Sequence, residues 1–300
     1  MRILIAGSSG FLGTHLVNAL TADGHEVRRL VRREPRAPTE TRWDPDRRQL
    51  DPAVVETADA VVNMAGANVA GKRWSGAYKR EIRDSRVNTT ATLAAAIAAA
   101  GGVRAFLNAS AVGFYGDTGD RAVDEQSPPG TGFLADVCRD WEAATAPAGN
   151  AGVRVVLLRT GILLDRTDGM LKPLLLIFRL GGGGKLGSGE QYFPWISLPD
   201  WLDAVRLLLA RDDIAGPVNL TGPEPVTNAE FTRALGEVVH RPTLIPVPAF
   251  GLRAVLGEFA TDALASQRVL PGVLTRAGFT FRHPDVHSAL RWAVTHPQAA

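Results

Sequence analysis

Apolar runs alternate with helix-periodic segments through the first half of this chain. Runs near residues 2–6, 26–31, 59–63, 104–109 and 153–158 are each long enough for one buried strand. Helical periodicity occupies residues 11–23, 75–100 and 133–146. That alternation predicts a doubly wound parallel sheet, an α/β fold with helices on both faces. The 75–100 segment begins charged and ends as an alanine run, closed by Gly101-Gly102 as a helix stop. Residues 35–52 are polar and rich in proline and arginine, and read as a connection rather than a strand.

Beyond Gly161 the pattern changes. Residues 171–180 read as a helix that stops at Gly181-Gly-Gly-Gly184, the start of a flexible loop. Residues 195–210 read as a helix and 217–220 as a strand, both returning to the main sheet. From Pro223 onward short helices mix with proline-marked turns. The expected division is a nucleotide-binding domain over 1–164 with 195–221, and a smaller α/β substrate domain over 165–194 with 222–300.

The junction between the first strand and first helix carries the sharpest signal. Gly7, Gly10 and Gly13 recur at three-residue spacing directly after an apolar run. A strand turning into a helix leaves the first helical N–H groups unpaired and aimed at the turn. With the positive end of the helix dipole they form an anion site. Gly7 permits the turn, Gly10 lets phosphates approach, and Gly13 lets the helix pack on the strand, the logic of a Rossmann dinucleotide site.

Bulk properties narrow the class without naming a reaction. The chain has 300 residues, 45% hydrophobic and 21% charged, which suits a globular protein. Its 33 basic and 31 acidic residues give +2, so charge implies no nucleic-acid or membrane partner. The one cysteine, Cys138, permits no internal disulfide and suits a reducing cytoplasm. No apolar stretch approaches 20 residues, so no membrane span is expected.

Local charge bears on cofactor choice. An acidic residue ending the second strand would bind the ribose 2′-hydroxyl of NAD, but the chain reads Leu30-Val31-Arg32-Arg33-Glu34 there. Guanidinium groups match a 2′-phosphate, so NADP(H) is the expected cofactor and Arg32 its preferred ligand. Glu34 dissents from beyond the strand's end, and Arg33 reads as solvated. Asn63-Met-Ala-Gly-Ala67 ends its strand in small residues, either to let a dinucleotide lie close or simply to turn.

A family resemblance rests on several motifs taken together. Gly7-Ser-Ser-Gly10-Phe-Leu-Gly13, Asn63-Met-Ala-Gly-Ala67, Ser110-Ala-Val-Gly-Phe-Tyr-Gly116 and Trp195-Ile-Ser-Leu-Pro-Asp200 resemble the extended short-chain dehydrogenase/reductase superfamily. Lys72-Arg-Trp74, Ser85-Arg86, Phe133-Leu-Ala-Asp-Val-Cys-Arg-Asp-Trp-Glu142 and Phe178-Arg-Leu-Gly181 look like its atypical epimerase-family branch. Leu244-Ile-Pro-Val-Pro248 and Gln267-Arg-Val-Leu-Pro271 are similar to that branch's own C-terminal domain. The cofactor contacts implied are Gly7, Ser9, Gly10, Phe11, Leu12, Gly13, Val31, Arg32, Met64, Ala65, Gly66, Glu81, Arg86 and Leu163.

The resemblance also exposes a departure. Typical members pair a tyrosine with a lysine four residues on, so that a phenol exchanges a proton with substrate while hydride moves. Placing Glu142 at the acidic position eight residues after that tyrosine puts Leu134 and Cys138 in those slots; a shift of one puts Phe133 and Val137 there. Neither register supplies the pair. Ser110 and Tyr115 are the remaining catalytic candidates, although Ala111 takes the serine slot if spacing to Tyr115 is kept. Glu81 and Arg86, five residues apart on one helix, do not share a face cleanly.

Lys72 and Arg73 are open to an anionic substrate or to solvent, and residues 117–125 form an acidic loop. His283 and His287 have helical zinc spacing but no third ligand, so no metal is expected. Two functions follow: an oxidoreductase or epimerase-like enzyme taking a small molecule, with residues 181–189 closing over it, or a cofactor-bound regulatory protein.

Overall fold

The computed structural model describes residues 1–296. Its strands are β1 (Arg2–Ala6), β2 (Glu26–Val31), β3 (Glu40–Arg42), β4 (Ala60–Asn63), β5 (Ala105–Ala111), β6 (Arg154–Thr160), β7 (Ile162–Leu164), β8 (Tyr192–Phe193), β9 (Trp195–Ser197), β10 (Gly216–Leu220) and β11 (Val226–Thr227). The helices that concern the site are α1 (Phe11–Ala22), α2 (Pro52–Glu56), α3 (Gly76–Ala100) and α4 (Phe133–Ala143). They are followed by α5 (Ala146–Asn150), α6 (Leu171–Arg179), α7 (Leu198–Ala210) and α8 (Asn228–Val239), with short helices beyond.

Seven strands join in the order β10-β6-β5-β4-β1-β2-β3. The pairings β1–β2, β1–β4, β2–β3 and β4–β5 are parallel, in the doubly wound arrangement that the alternating pattern predicts. From β1 the chain builds outward through β2 and β3, then crosses back to place β4 on β1's other side. That reversal opens a crevice beyond the carboxyl ends of β1 and β4.

The described residues divide into two compact units. The first comprises Met1–Ser110, Asp136–Leu158 and Val205–Pro217; the second comprises Ala111–Ala135, Arg159–Ala204 and the described residues from Val218 on. Residues 111–135 and 195–204 therefore group with the second unit. In the first, one face of the sheet buries Leu4, Val61 and Phe106 against Leu93 and Ile97 of α3. Each such side chain contributes about 1.5–3 kcal/mol on leaving water. Ser75 caps α3 by accepting from the Tyr78 N–H, and Gly101 ends the helix in the left-handed conformation at φ 72°.

The second unit has its own core, with Leu164, Phe178, Trp195, Phe231 and Leu290 packed together. The acidic 117–125 segment is stapled rather than free. Asp117 accepts from the Ser266 N–H, Val123 bridges to Val269, and buried Glu125 accepts from the N–H groups of Asn219 and Val273.

Three expectations are corrected. Residues 35–52 are not merely a connection, because β3 adds Glu40–Arg42 to the sheet edge and Trp43 enters the core. A polar edge strand whose buried carboxylate is matched by nearby guanidinium groups leaves no apolar periodicity to read. Residues 195–197 form a strand, Trp195–Ser197 pairing with Ile162–Leu164, and the helix begins only at Leu198. The 181–189 loop is pinned: Leu186 donates to Asn228, Val247 donates to the Lys185 carbonyl, and a Cβ on Gly184 would meet the Ile245 carbonyl oxygen at 1.6 Å.

Close packing at the first turn gives a direct test. A Cβ on Gly13 would lie 2.2 Å from the Gly7 carbonyl oxygen, inside any permissible contact. Gly13→Ala is expected to cost about 1–3 kcal/mol through forced displacement of α1. A urea-unfolding midpoint equal to that of the unsubstituted protein would refute the close approach.

Candidate functional site

The β1–α1 turn forms one wall of a cavity of about 850 Å³. Gly7 sits at φ 78°, and a Cβ there would lie 2.5 Å from the Met64 carbonyl carbon. Only glycine meets both demands. Gly10 caps α1 with no side-chain hydrogen bond, and the first turn has no acidic residue. The N–H groups of that turn are thus left for an incoming anion. A Cβ on Gly10 would meet nothing nearer than the Gly7 carbonyl oxygen at 3.4 Å, so its outer face is open. A dinucleotide pyrophosphate fits these donors in charge and in approach distance.

The five clustered arginines separate into distinct roles. Arg33 makes a bidentate pair with Glu40 at 2.7 Å for each bond, and Arg29 approaches the same carboxylate at 3.2 Å. Glu40 is only 3% exposed, also accepts from the Arg36 N–H, and is held down at about 2 by these bonds, chiefly that from Arg33. Arg28 donates to Thr57, and Glu34 is paired with Arg42. Arg32 lines the cavity beside Val31, exposed and without a partner among the described residues. Arg33, read from sequence as solvated, is instead paired with Glu40.

Behind the cavity lies a buried polar network. Asn63, at the end of β4, donates to Thr90 and Asn108 and accepts from the Ala65 N–H. Thr90 also accepts from the Trp141 indole N–H at 2.9 Å. This network fixes the Met64–Ala65–Gly66 backbone along the cavity, and Ser85 extends it by accepting from the Ala67 N–H. Arg86 packs on Gly66, where an added Cβ would lie 3.2 Å from its guanidinium carbon, and stacks over Trp141 at 5.1 Å. It donates to the Ile82 carbonyl and meets no carboxylate among the described residues; burial pulls it below the usual arginine value.

The structure gathers some of the sequence-derived residues and disperses others. Gly7, Ser9, Gly10, Val31, Arg32, Met64, Ala65, Gly66 and Glu81 line the cavity. Glu81 is exposed and 3.6 Å from Lys72. Phe11, Leu12 and Gly13 stand behind the lining in the first turn of α1, where their backbone matters rather than their side chains. Arg86 stands behind Gly66, and Leu163 belongs to the second unit, on β7.

The catalytic candidates fare differently. Ser110 is buried and donates to Glu142 at 2.6 Å, within the first unit. Tyr115 is 1% exposed, donates to Asn219 at 2.8 Å and accepts from Arg159 at 2.9 Å. Burial pushes its phenol up, which opposes the ready proton release expected of a relay. Tyr115, in the turn after β5, is thus tied into the packing and hydrogen bonds of the second unit. Cys138 is buried on α4.

His283 contacts the Ser197 hydroxyl and His287 faces Glu237, so they do not converge. Among the described residues no three His, Cys, Asp or Glu side chains cluster as metal ligands. No helix there is long and apolar enough to cross a membrane.

Comparison with known proteins agrees with this geometry. The profile of the NAD dependent epimerase/dehydratase family matches residues 3–220, and that of a domain of unknown function, DUF1731, matches 247–293. The chain belongs to the NAD-dependent epimerase/dehydratase family. It is 51% identical over 296 residues to epimerase family protein Mb2239 of Mycobacterium bovis, covering 98% of each chain. A crystal structure of human epimerase family protein SDR39U1 (isoform 2) with NADPH superposes with a TM-score of 0.89 at 33% identity, covering 99% of this chain and all of that one. A nucleoside-diphosphate sugar epimerase from Corynebacterium glutamicum gives 0.80 at 37% identity, covering 97% of this chain but 58% of that one.

Several lining residues were not singled out by sequence: Trp43, Pro45, Asp46, Asn68, Tyr78, Asp84 and Thr89. Trp43 to Asp46 follow an edge strand with no apolar signature. Tyr78 and Ser85, seven residues apart, share a face of α3, a periodicity that marks packing as readily as a ligand.

The Arg33–Glu40 pair carries a pH test. Glu40 is held at about 2 against 4.5 unfolded, so its contribution is present above about pH 4.5 and is lost as pH falls toward 2. Asp59 and Asp213, also held at about 2, add a background acid loss. Glu40→Gln should therefore lose less stability between pH 6 and pH 3 than the unsubstituted protein, read as urea midpoints. Equal losses would contradict the pairing.

Proposed function

We propose that this chain is an NADP(H)-dependent oxidoreductase of the reducing cytoplasm that acts on a small molecule. One observation carries the reading: an uncapped helix start behind Gly7 and Gly10, with Arg32 as the partner-free guanidinium at the rim of the same cavity. The first-turn N–H groups of α1 would hold the pyrophosphate. Arg32 would take the 2′-phosphate, and Val31, Met64, Ala65 and Gly66 would line the dinucleotide's path. Arg86, a half-buried cation with no acid partner among the described residues, suits a further oxyanion or ribose oxygen. Bound NADP(H) supplies hydride; the protein's part is to bind it, orient it and exclude water. Human SDR39U1, crystallised with NADPH, supports the cofactor assignment.

A second reading draws on Leu134 and Cys138 in the expected proton-relay slots, and on the sealed phenol of Tyr115. These favour a protein that binds NADP(H) and signals its state without turnover.

Two experiments separate the readings. Arg32→Ala should abolish most of the thermal stabilisation given by NADPH and leave any effect of NADH unchanged; equal loss for both would remove Arg32 from the 2′-phosphate site. Following NADPH absorbance across aldehydes, α-dicarbonyls, quinones and UDP-sugars should reveal consumption with at least one class. Tight binding with no consumption throughout favours the regulatory reading.

A further inference from the structure

Proton donation is the function left without an owner when Leu134 and Cys138 occupy the expected slots. The chain has three tyrosines. Tyr115 is sealed between Asn219 and Arg159, and Tyr192 lies on β8 of the second unit under Arg268. Tyr78 is the tyrosine that lines the dinucleotide cavity. It projects from the first turn of α3, and its hydroxyl donates to the Asn68 carbonyl. A loop passes close above it: a Cβ on Gly71 would lie 2.8 Å from the phenol oxygen.

Two cations accompany this phenol. The Lys72 ammonium sits 5.2 Å from the ring centroid, steadied by Glu81 at 3.6 Å. Arg86 lies two helical steps further along α3, at positions 78, 82 and 86, with Ile82 between them accepting a bond from its guanidinium. Negative charge on the Tyr78 phenol or the Cys138 thiol would favour the Arg86 cation. A half-buried guanidinium with no acid partner among the described residues, on the same face of α3 as the phenol, places positive charge where negative charge develops as that phenol gives up its proton.

We infer that Tyr78, with Arg86 and Lys72, is a relocated phenol–cation set that donates the proton during reduction. The inference rests on the NADP(H)-oxidoreductase reading above. The Tyr78 O–H turns from Asn68 to the substrate oxygen; that O–H bond breaks as the new one forms. The carbon beside that oxygen takes up the hydride, with its electron pair, that the reduced dinucleotide supplies. The phenolate left behind regains a proton from water, so charge and atoms balance. Relocation from α4 to α3 explains how Leu134 and Cys138 are compatible with a reaction.

Tyr78→Phe, Lys72→Met and Arg86→Lys in the full-length protein test this, together with chemical nitration of the unsubstituted protein. Tyr78→Phe should lower NADPH consumption about a hundredfold, in the range of general-acid catalysis, while NADPH affinity measured by calorimetry stays within about threefold. Lys72→Met should lower turnover about tenfold, and Arg86→Lys should keep more turnover than Arg86→Met if the cation is what matters. Under tetranitromethane, NADPH should slow nitration of Tyr78 at least fivefold, read by peptide mass spectrometry, and leave Tyr192 unaffected. Full turnover in Tyr78→Phe, or nitration of Tyr78 indifferent to NADPH, overturns the inference alone. Failure of the unsubstituted protein to bind NADPH overturns the reading beneath it. Binding without turnover removes the reaction, and the proposal with it.

Discussion

The site depends on backbone packed against backbone where β1 runs into α1. Gly7 approaches the Met64–Ala65 backbone of the neighbouring strand end, and Gly13 approaches Gly7 itself; in each case an added Cβ would sit at or below 2.5 Å. Side chains cannot be interposed there, so the turn must be bare peptide. Bare peptide at a helix start is also what an anion needs. Packing and binding therefore impose the same residues, and the glycine spacing serves both.

Around that turn the protein manages charge by occupation. Five arginines lie within nine positions after β2 begins, between Arg28 and Arg36. Glu40 engages Arg33, Arg29 and the Arg36 N–H, Thr57 takes Arg28, and Arg32 stays uncommitted at the cavity. Burying Glu40 would be costly alone, and the guanidinium groups that offset that cost also fix the edge strand. Fold and specificity meet in that one carboxylate. Glu34, the residue that argued against a 2′-phosphate, is neutralised by Arg42.

Much of this was legible in the chain, for physical reasons that differ by element. Strands β1, β4, β5 and β6 are mostly buried and apolar, so their hydrophobicity announces them, while β2 carries Arg28 and Arg29 among its apolar residues. The glycine turn was readable because close approach leaves no alternative residue. Strand β3 was not, since Glu40 is buried by pairing rather than by being apolar. Tyr115 looked available because sequence does not reveal that Asn219, more than a hundred positions away, accepts its proton. Tyr78 escaped notice because a tyrosine in a helix's first turn has no signature until the Asn68 loop and Arg86 are seen beside it.

The chain belongs to the NAD-dependent epimerase/dehydratase family, and its glycine turn and Arg32 line one cavity. The central claim concerns the cradle: α1 holds a pyrophosphate and Arg32 selects for a 2′-phosphate. Calorimetric titration of NADPH and of NADH into the unsubstituted protein, at one ionic strength, tests this most directly. NADPH is expected to bind at least about tenfold more tightly, the worth of one charge-assisted bidentate contact. Equal affinities, or tighter binding of NADH, would contradict it.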